Sequence, residues 1–170
     1  MFLNSFHRKK ILLVHEEEDL LTLITARLKQ NGYQILVASD GLEGLRMAQK
    51  ERPDVILVDV TVPRLNGFQM VQLLHLDKSL KEIPVIPVTA SHHKDEAAWW
   101  AQLGVRYFLV KPFETQVLLE KVQEALQNSP LQKSGGRSLW QILHKEILTV
   151  NRILHWRASP PDPKGDQRAT

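Results

Sequence analysis

Polar residues able to do chemistry stand directly after short apolar runs. His15, Glu16 and Glu17 follow ILLV at 11–14, Asp59 follows VILV at 55–58, Thr89 follows VIPV at 85–88, and Lys111 follows YFLV at 107–110. Neighbouring carboxylates are hard oxygen donors suited to Mg²⁺. A hydroxyl and an ammonium can hold phosphoryl oxygens, and one carboxylate can act as the nucleophile of a phosphoryl transfer. The chain has no cysteine, which excludes disulfides, thiolate metal sites and a cysteine nucleophile. His92 and His93 open a helical segment and are expected to be solvated, so they make no zinc site. There is no glycine-rich phosphate loop and no internal repeat.

These residues need elements that bring them together. The apolar runs, with a weaker one at 34–38 (QILVA), have strand length and no alternation, the pattern of a parallel sheet covered on both faces. Segments of helical period lie between them. Leu20, Leu21, Leu23, Ile24 and Leu28 form a face that stops at Asn31-Gly32. Asp40 and Glu43 have capping-box spacing, and Pro53 lies beyond the end of that helix. Segments 67–76, 94–103 and 114–126 supply three more helices. Alternating strands and helices imply a doubly wound α/β sheet, whose ligands bind outside the carboxyl ends of the strands at the switch in strand order. The second strand ends in Ser39 and adds nothing to the polar set.

The chain has 170 residues, 43% hydrophobic and 24% charged, an ordinary folded composition. No stretch approaches the ~18 apolar residues of a membrane span, and residues 1–9 are a short arm without a signal-peptide core. The expected location is the cytoplasm, with no membrane partner. The net charge of +3 is uneven: residues 1–128 hold 15 basic and 16 acidic side chains, and residues 129–170 hold 7 and 3. That excess is too small to indicate nucleic acid. Breaks at 128–137 mark a linker. Leu139, Ile142, Leu143, Ile147, Val150, Ile153 and Leu154 then form the stripe of an added C-terminal amphipathic helix at 138–157, and the tail at 158–170 has a disordered composition. One helix cannot make a helix-turn-helix.

Residues 10–127 resemble the receiver domain of two-component response regulators, through KILLVHEEEDLL, PDVILVDVTVPRLNGFQMV, IPVIPVTAS and GVRYFLVKPF. The resemblance implies a flavodoxin-like five-stranded parallel sheet of order 2-1-3-4-5. It makes Asp59 the phosphoacceptor, with Thr89 and Lys111 binding the phosphoryl group and Lys111-Pro112 a cis peptide. Phe108 stands where the family has its switch aromatic. Mg²⁺ would be held by Glu16, Asp59 and the backbone carbonyl of Thr61.

Three features depart from the family. His15-Glu16 replaces an acidic pair that is usually two aspartates, and an imidazole is a poor ligand for Mg²⁺, so weak metal binding is expected. Pro87 removes a ladder donor from a central strand and should distort the chain near Thr89. Trp100 and Leu103 replace small residues before Gly104, so the fourth helix should pack differently. Because Trp99 and Trp100 are adjacent, at most one can face the core fully; the other is expected to be exposed and, with the C-terminal helix, to form a partner or self-association face.

The function expected is that of a stand-alone, non-enzymatic receiver. It takes a phosphoryl group from a histidine kinase or phosphotransfer protein and signals by binding an output partner. The alternatives are a pseudo-receiver that binds partners without phosphorylation and, more remotely, a DNA-associated regulator.

Overall fold

The computed structural model describes residues 8–90 and 94–129 of the chain. The C-terminal helix at 138–157, the tail, most of the linker and of the N-terminal arm, and His92 and His93 lie outside the described residues. The strands are β1 (Lys10–Val14), β2 (Gln34–Ala38), β3 (Val55–Asp59), β4 (Val85–Thr89) and β5 (Leu109–Val110). They alternate with helices α1 (Glu18–Gln30), α2 (Gly41–Glu51), α3 (Gly67–Leu76), α4 (Lys94–Gln102) and α5 (Thr115–Gln127). Every strand pair is parallel and the order is β2-β1-β3-β4-β5, as the family resemblance implies.

The lack of alternation in the apolar runs has its cause in two cores, one on each face of the sheet. Leu12, Val14, Ile56 and Val58 pack with Ala48 of α2, Met70 and Leu74 of α3 and Trp100 of α4. Ile11, Leu13, Val55 and Leu57 pack with Ile24 and Leu28 of α1 and Leu118 and Val122 of α5. The inner strands β1, β3 and β4 therefore bury both of their faces, while the edge strand β2 stays partly exposed. The chain leaves β1 for the β2 edge and returns to β3 on the other side, so the switch point lies between the carboxyl ends of β1 and β3.

Three expectations change. Both oxygens of the capping box at Asp40 and Glu43 find partners, but not reciprocally: Asp40 accepts from the Glu43 N–H at 2.8 Å, whereas Glu43 accepts from the N–H of Ser39 at 2.8 Å. Pro87 leaves β4 a regular five-residue strand and acts on its neighbour instead. The Val88 carbonyl accepts from Val60 on the β3 side, and the Thr89 carbonyl accepts from Lys111 on the β5 side. This alternation turns the missing donor of Pro87 toward β5. The β4–β5 ladder accordingly starts only at Val88–Leu109, and Tyr107 and Phe108, expected in the strand, stay outside it.

The third change concerns the tryptophan pair. Trp100 is buried, 1% exposed, and stacks on Phe68 with ring centroids 4.4 Å apart and planes at 11°. Trp99 is half-buried and meets the edge of the same Phe68 ring at 4.4 Å. The two indoles also meet each other edge to face at 4.9 Å, so Phe68, Trp99 and Trp100 form one three-ring cluster and Trp99 packs against the core instead of standing exposed. Removing the larger buried surface leaves a cavity beside Phe68. Trp100→Ala should lower unfolding stability by about 3–5 kcal/mol in chemical denaturation, whereas Leu76→Ala, at a side chain 69% exposed, should change it little.

Candidate functional site

The β1–β3 ladder pairs Val14 with Val58, so the next residue of each strand, His15 and Asp59, meets at the switch point. His15 continues the sheet geometry: its N–H donates to the Ala38 carbonyl at 3.0 Å. Both side chains are buried, His15 at 7% and Asp59 at 5% exposure. Lys111 is placed by its own backbone, whose N–H donates to the Thr89 carbonyl at 2.8 Å, and by the cis peptide to Pro112. Its ammonium donates to Oδ2 of Asp59.

The imidazole has a defined tautomer. Nδ1 of His15 accepts the backbone N–H of Glu17 at 2.9 Å, so in the neutral ring the proton sits on Nε2. Nε2–H then donates to Oδ2 of Asp59 at 3.0 Å. Nζ of Lys111 lies 3.0 Å from the same Nε2; both are donors, and they converge on one carboxylate oxygen rather than bonding to each other. The other oxygen, Oδ1, accepts the N–H of Thr61 at 2.7 Å and its hydroxyl at 2.6 Å. Burial pushes the Asp59 carboxyl toward protonation. Donation from His15, Lys111 and Thr61 outweighs that and holds it well below the usual carboxylate range.

Among the expected site residues, Asp59, His15, Lys111 and Thr61 come together, and Thr89 is buried at the adjacent strand end. Glu16 and Glu17 are exposed. Phe108 is 41% exposed, just before β5. Among the described residues no three carboxylate or imidazole groups are gathered to hold a metal ion. The donor chemistry explains this: His15 presents an N–H, not a lone pair, toward Asp59, and both Asp59 oxygens are already engaged. As arranged, these side chains do not fit Mg²⁺, which demands several oxygen ligands in octahedral geometry.

Comparison with known proteins identifies the family. The family model of the response regulator receiver domain matches residues 11–123. The chain belongs to the response regulator receiver family. It is a signalling module rather than an enzyme. Protein PilH of Pseudomonas aeruginosa is 36% identical over 117 residues, covering 69% of this chain and 97% of that protein. The regulatory protein PhoP of Bacillus subtilis is 33% identical over 123 residues, 72% of this chain but only 50% of its own length. The chemotaxis regulator CheY4 of Vibrio cholerae superposes with a TM-score of 0.66 at 31% identity, covering 70% of this chain and 99% of that one. The receiver domain of a Pseudomonas aeruginosa sensor histidine kinase, with a magnesium ion in its active-site cleft, gives 0.65 at 28% identity, covering 71% and 99%.

This receiver also has contacts that its motifs do not announce. Gly67 opens α3 against the end of β3, where a Cβ would lie 2.7 Å from the Asp59 carbonyl oxygen. Arg64, at φ 67°, donates to Asp40 Oδ2 at 2.8 Å and ties the loop after Asp59 to the head of α2. Gly41 lets that loop close down, because a Cβ there would collide with the Leu65 carbonyl. A glycine beside a helix cap was the only local trace of this clamp.

The depressed Asp59 carboxyl has a thermodynamic consequence. Its ionised form is favoured by folding, so the stability it adds is fully present above its unfolded value near ~3.9 and is lost as pH falls below that. Urea unfolding in divalent-free buffer should show the wild type losing stability from about pH 4 downward, and Asp59→Asn losing less over the same range. Identical pH slopes for the two proteins would contradict the donor set described.

Proposed function

We propose that Asp59 accepts a phosphoryl group from a cytoplasmic histidine kinase or phosphotransfer protein, and that the receiver then changes its affinity for an output partner. The observation that carries this reading is a buried, ionised carboxylate at the switch point with the Lys111 ammonium on one of its oxygens. The carboxylate is kept anionic and therefore nucleophilic, and the ammonium is positioned to hold a transferred phosphoryl oxygen. Thr89 and Phe108 would relay the change: Thr89 stands at the next strand end, and the half-exposed Phe108 lies one residue before β5. The match over 97% of PilH supports signalling by the receiver itself through binding. Self-association through the C-terminal segment is part of the same reading.

Mg²⁺ held by Glu16, Asp59 and the Thr61 carbonyl would first have to displace the donors on Asp59, so its binding would be weak. His15 in place of a carboxylate also favours a second reading, a pseudo-receiver that recognises partners without phosphorylation. Intact mass after treatment with acetyl phosphate separates the two. One labile phosphoryl adduct is expected on the wild type and none on Asp59→Asn, whereas an unmodified wild type at saturating donor would establish the second reading.

The metal reading has its own check. His15→Asp adds a hard anionic ligand beside Asp59 and should tighten Mg²⁺ binding by about tenfold or more in calorimetric titration. Equal affinity in both proteins would remove His15 as the cause of weak binding.

A further inference from the structure

The buried part of the site is electrically complete without an ion. Asp59 contributes one negative charge, Lys111 one positive charge, and His15, with its proton on Nε2, none. A pocket with a second carboxylate at position 15 would carry surplus negative charge and would need a cation before a phosphate could approach. Here that position carries a donor. It is aimed at Asp59 Oδ2 from 3.0 Å, and the Glu17 N–H on Nδ1 holds it in that sense. Leu21, Ile24, Leu57 and Val88 wall the space beside His15 and Asp59 with apolar groups, which strengthens each charge-assisted hydrogen bond made there.

Resting on the reading of Asp59 as phosphoacceptor, we infer that His15 takes over the charge-stabilising task of the metal ion, so that Asp59 is phosphorylated by a small acyl phosphate in the absence of any divalent cation. An Asp59 carboxylate oxygen attacks the phosphorus of acetyl phosphate and forms the new O–P bond. The bond from phosphorus to the acetate oxygen breaks, and acetate leaves with the electron pair. No proton or electron changes hands. As negative charge moves onto the phosphoryl oxygens, the Nε2–H of His15 and the ammonium of Lys111 pass from Asp59 Oδ2 to those oxygens. Both donors already stand at the reacting carboxylate, so each has only to exchange one oxygen for a neighbouring one. His15 is thus a catalytic residue in this chain, in contact with the reacting carboxylate.

The test is the rate of adduct formation from acetyl phosphate on the full chain, followed by intact mass in Mg²⁺ and, after metal stripping, in EDTA. The wild-type rate should differ between the two buffers by no more than about threefold, whereas loss of one preorganised donor typically costs ~10²-fold or more. His15→Asp should invert the dependence, being labelled at least about tenfold more slowly in EDTA than in Mg²⁺. A merely structural histidine would slow labelling equally in both buffers. A wild type labelled only in Mg²⁺ overturns the inference while leaving Asp59 as phosphoacceptor, and this comparison stands even if the variant does not fold. A wild type labelled in neither buffer overturns the phosphoacceptor reading itself, and the inference with it.

Discussion

A carboxylate at 5% exposure, ionised, is the constraint to which the rest of this molecule answers. Burying a charge is costly unless donors replace the lost water. The replacement at Asp59 comes from separate parts of the chain: His15 after β1, Thr61 in the loop after β3 and Lys111 after β5. Only a parallel sheet whose order reverses between β1 and β3 brings the carboxyl ends of those strands to one place. The backbone ladder does the positioning, through the Ala38 carbonyl for His15 and the Thr89 carbonyl for Lys111, so the site is as rigid as the sheet that carries it.

The loop that leaves Asp59 is held as firmly as the carboxylate. Gly67 brings the start of α3 against the Asp59 carbonyl, and the next residue, Phe68, packs against both Trp99 and Trp100 of α4. On the other side Arg64 reaches the Asp40 cap of α2. A change at Asp59 therefore has packed contacts through which to reach both α2 and α4. The bulky indoles make α4 part of the core around Phe68, and this is the structural meaning of tryptophan at a position where the family has small residues.

His15 changes the character of the pocket more than its shape. An acidic side chain there would bring negative charge and oxygen lone pairs, while the imidazole brings a neutral ring with one fixed acceptor and one fixed donor. The Glu17 amide decides which nitrogen is which. Without that backbone contact either tautomer could face Asp59, and only one of them donates to it.

The sequence by itself determined the sheet, its parallel sense and the polar set at the strand ends, because the length of an apolar run and the period of a helical face are local properties. It also determined Asp59 and Lys111 as members of one site, since each stands at the carboxyl end of an apolar run. It misjudged Trp99, Pro87 and the length of β5. Whether an indole is exposed depends on Phe68, about thirty residues away, and the effect of a missing donor depends on which neighbour that donor would have faced. The tautomer of His15, the exposure of Glu16 and the grip of Arg64 on Asp40 were likewise decided only by the tertiary structure. They depend on distances between residues far apart in the chain, and spacing along a sequence does not contain those distances.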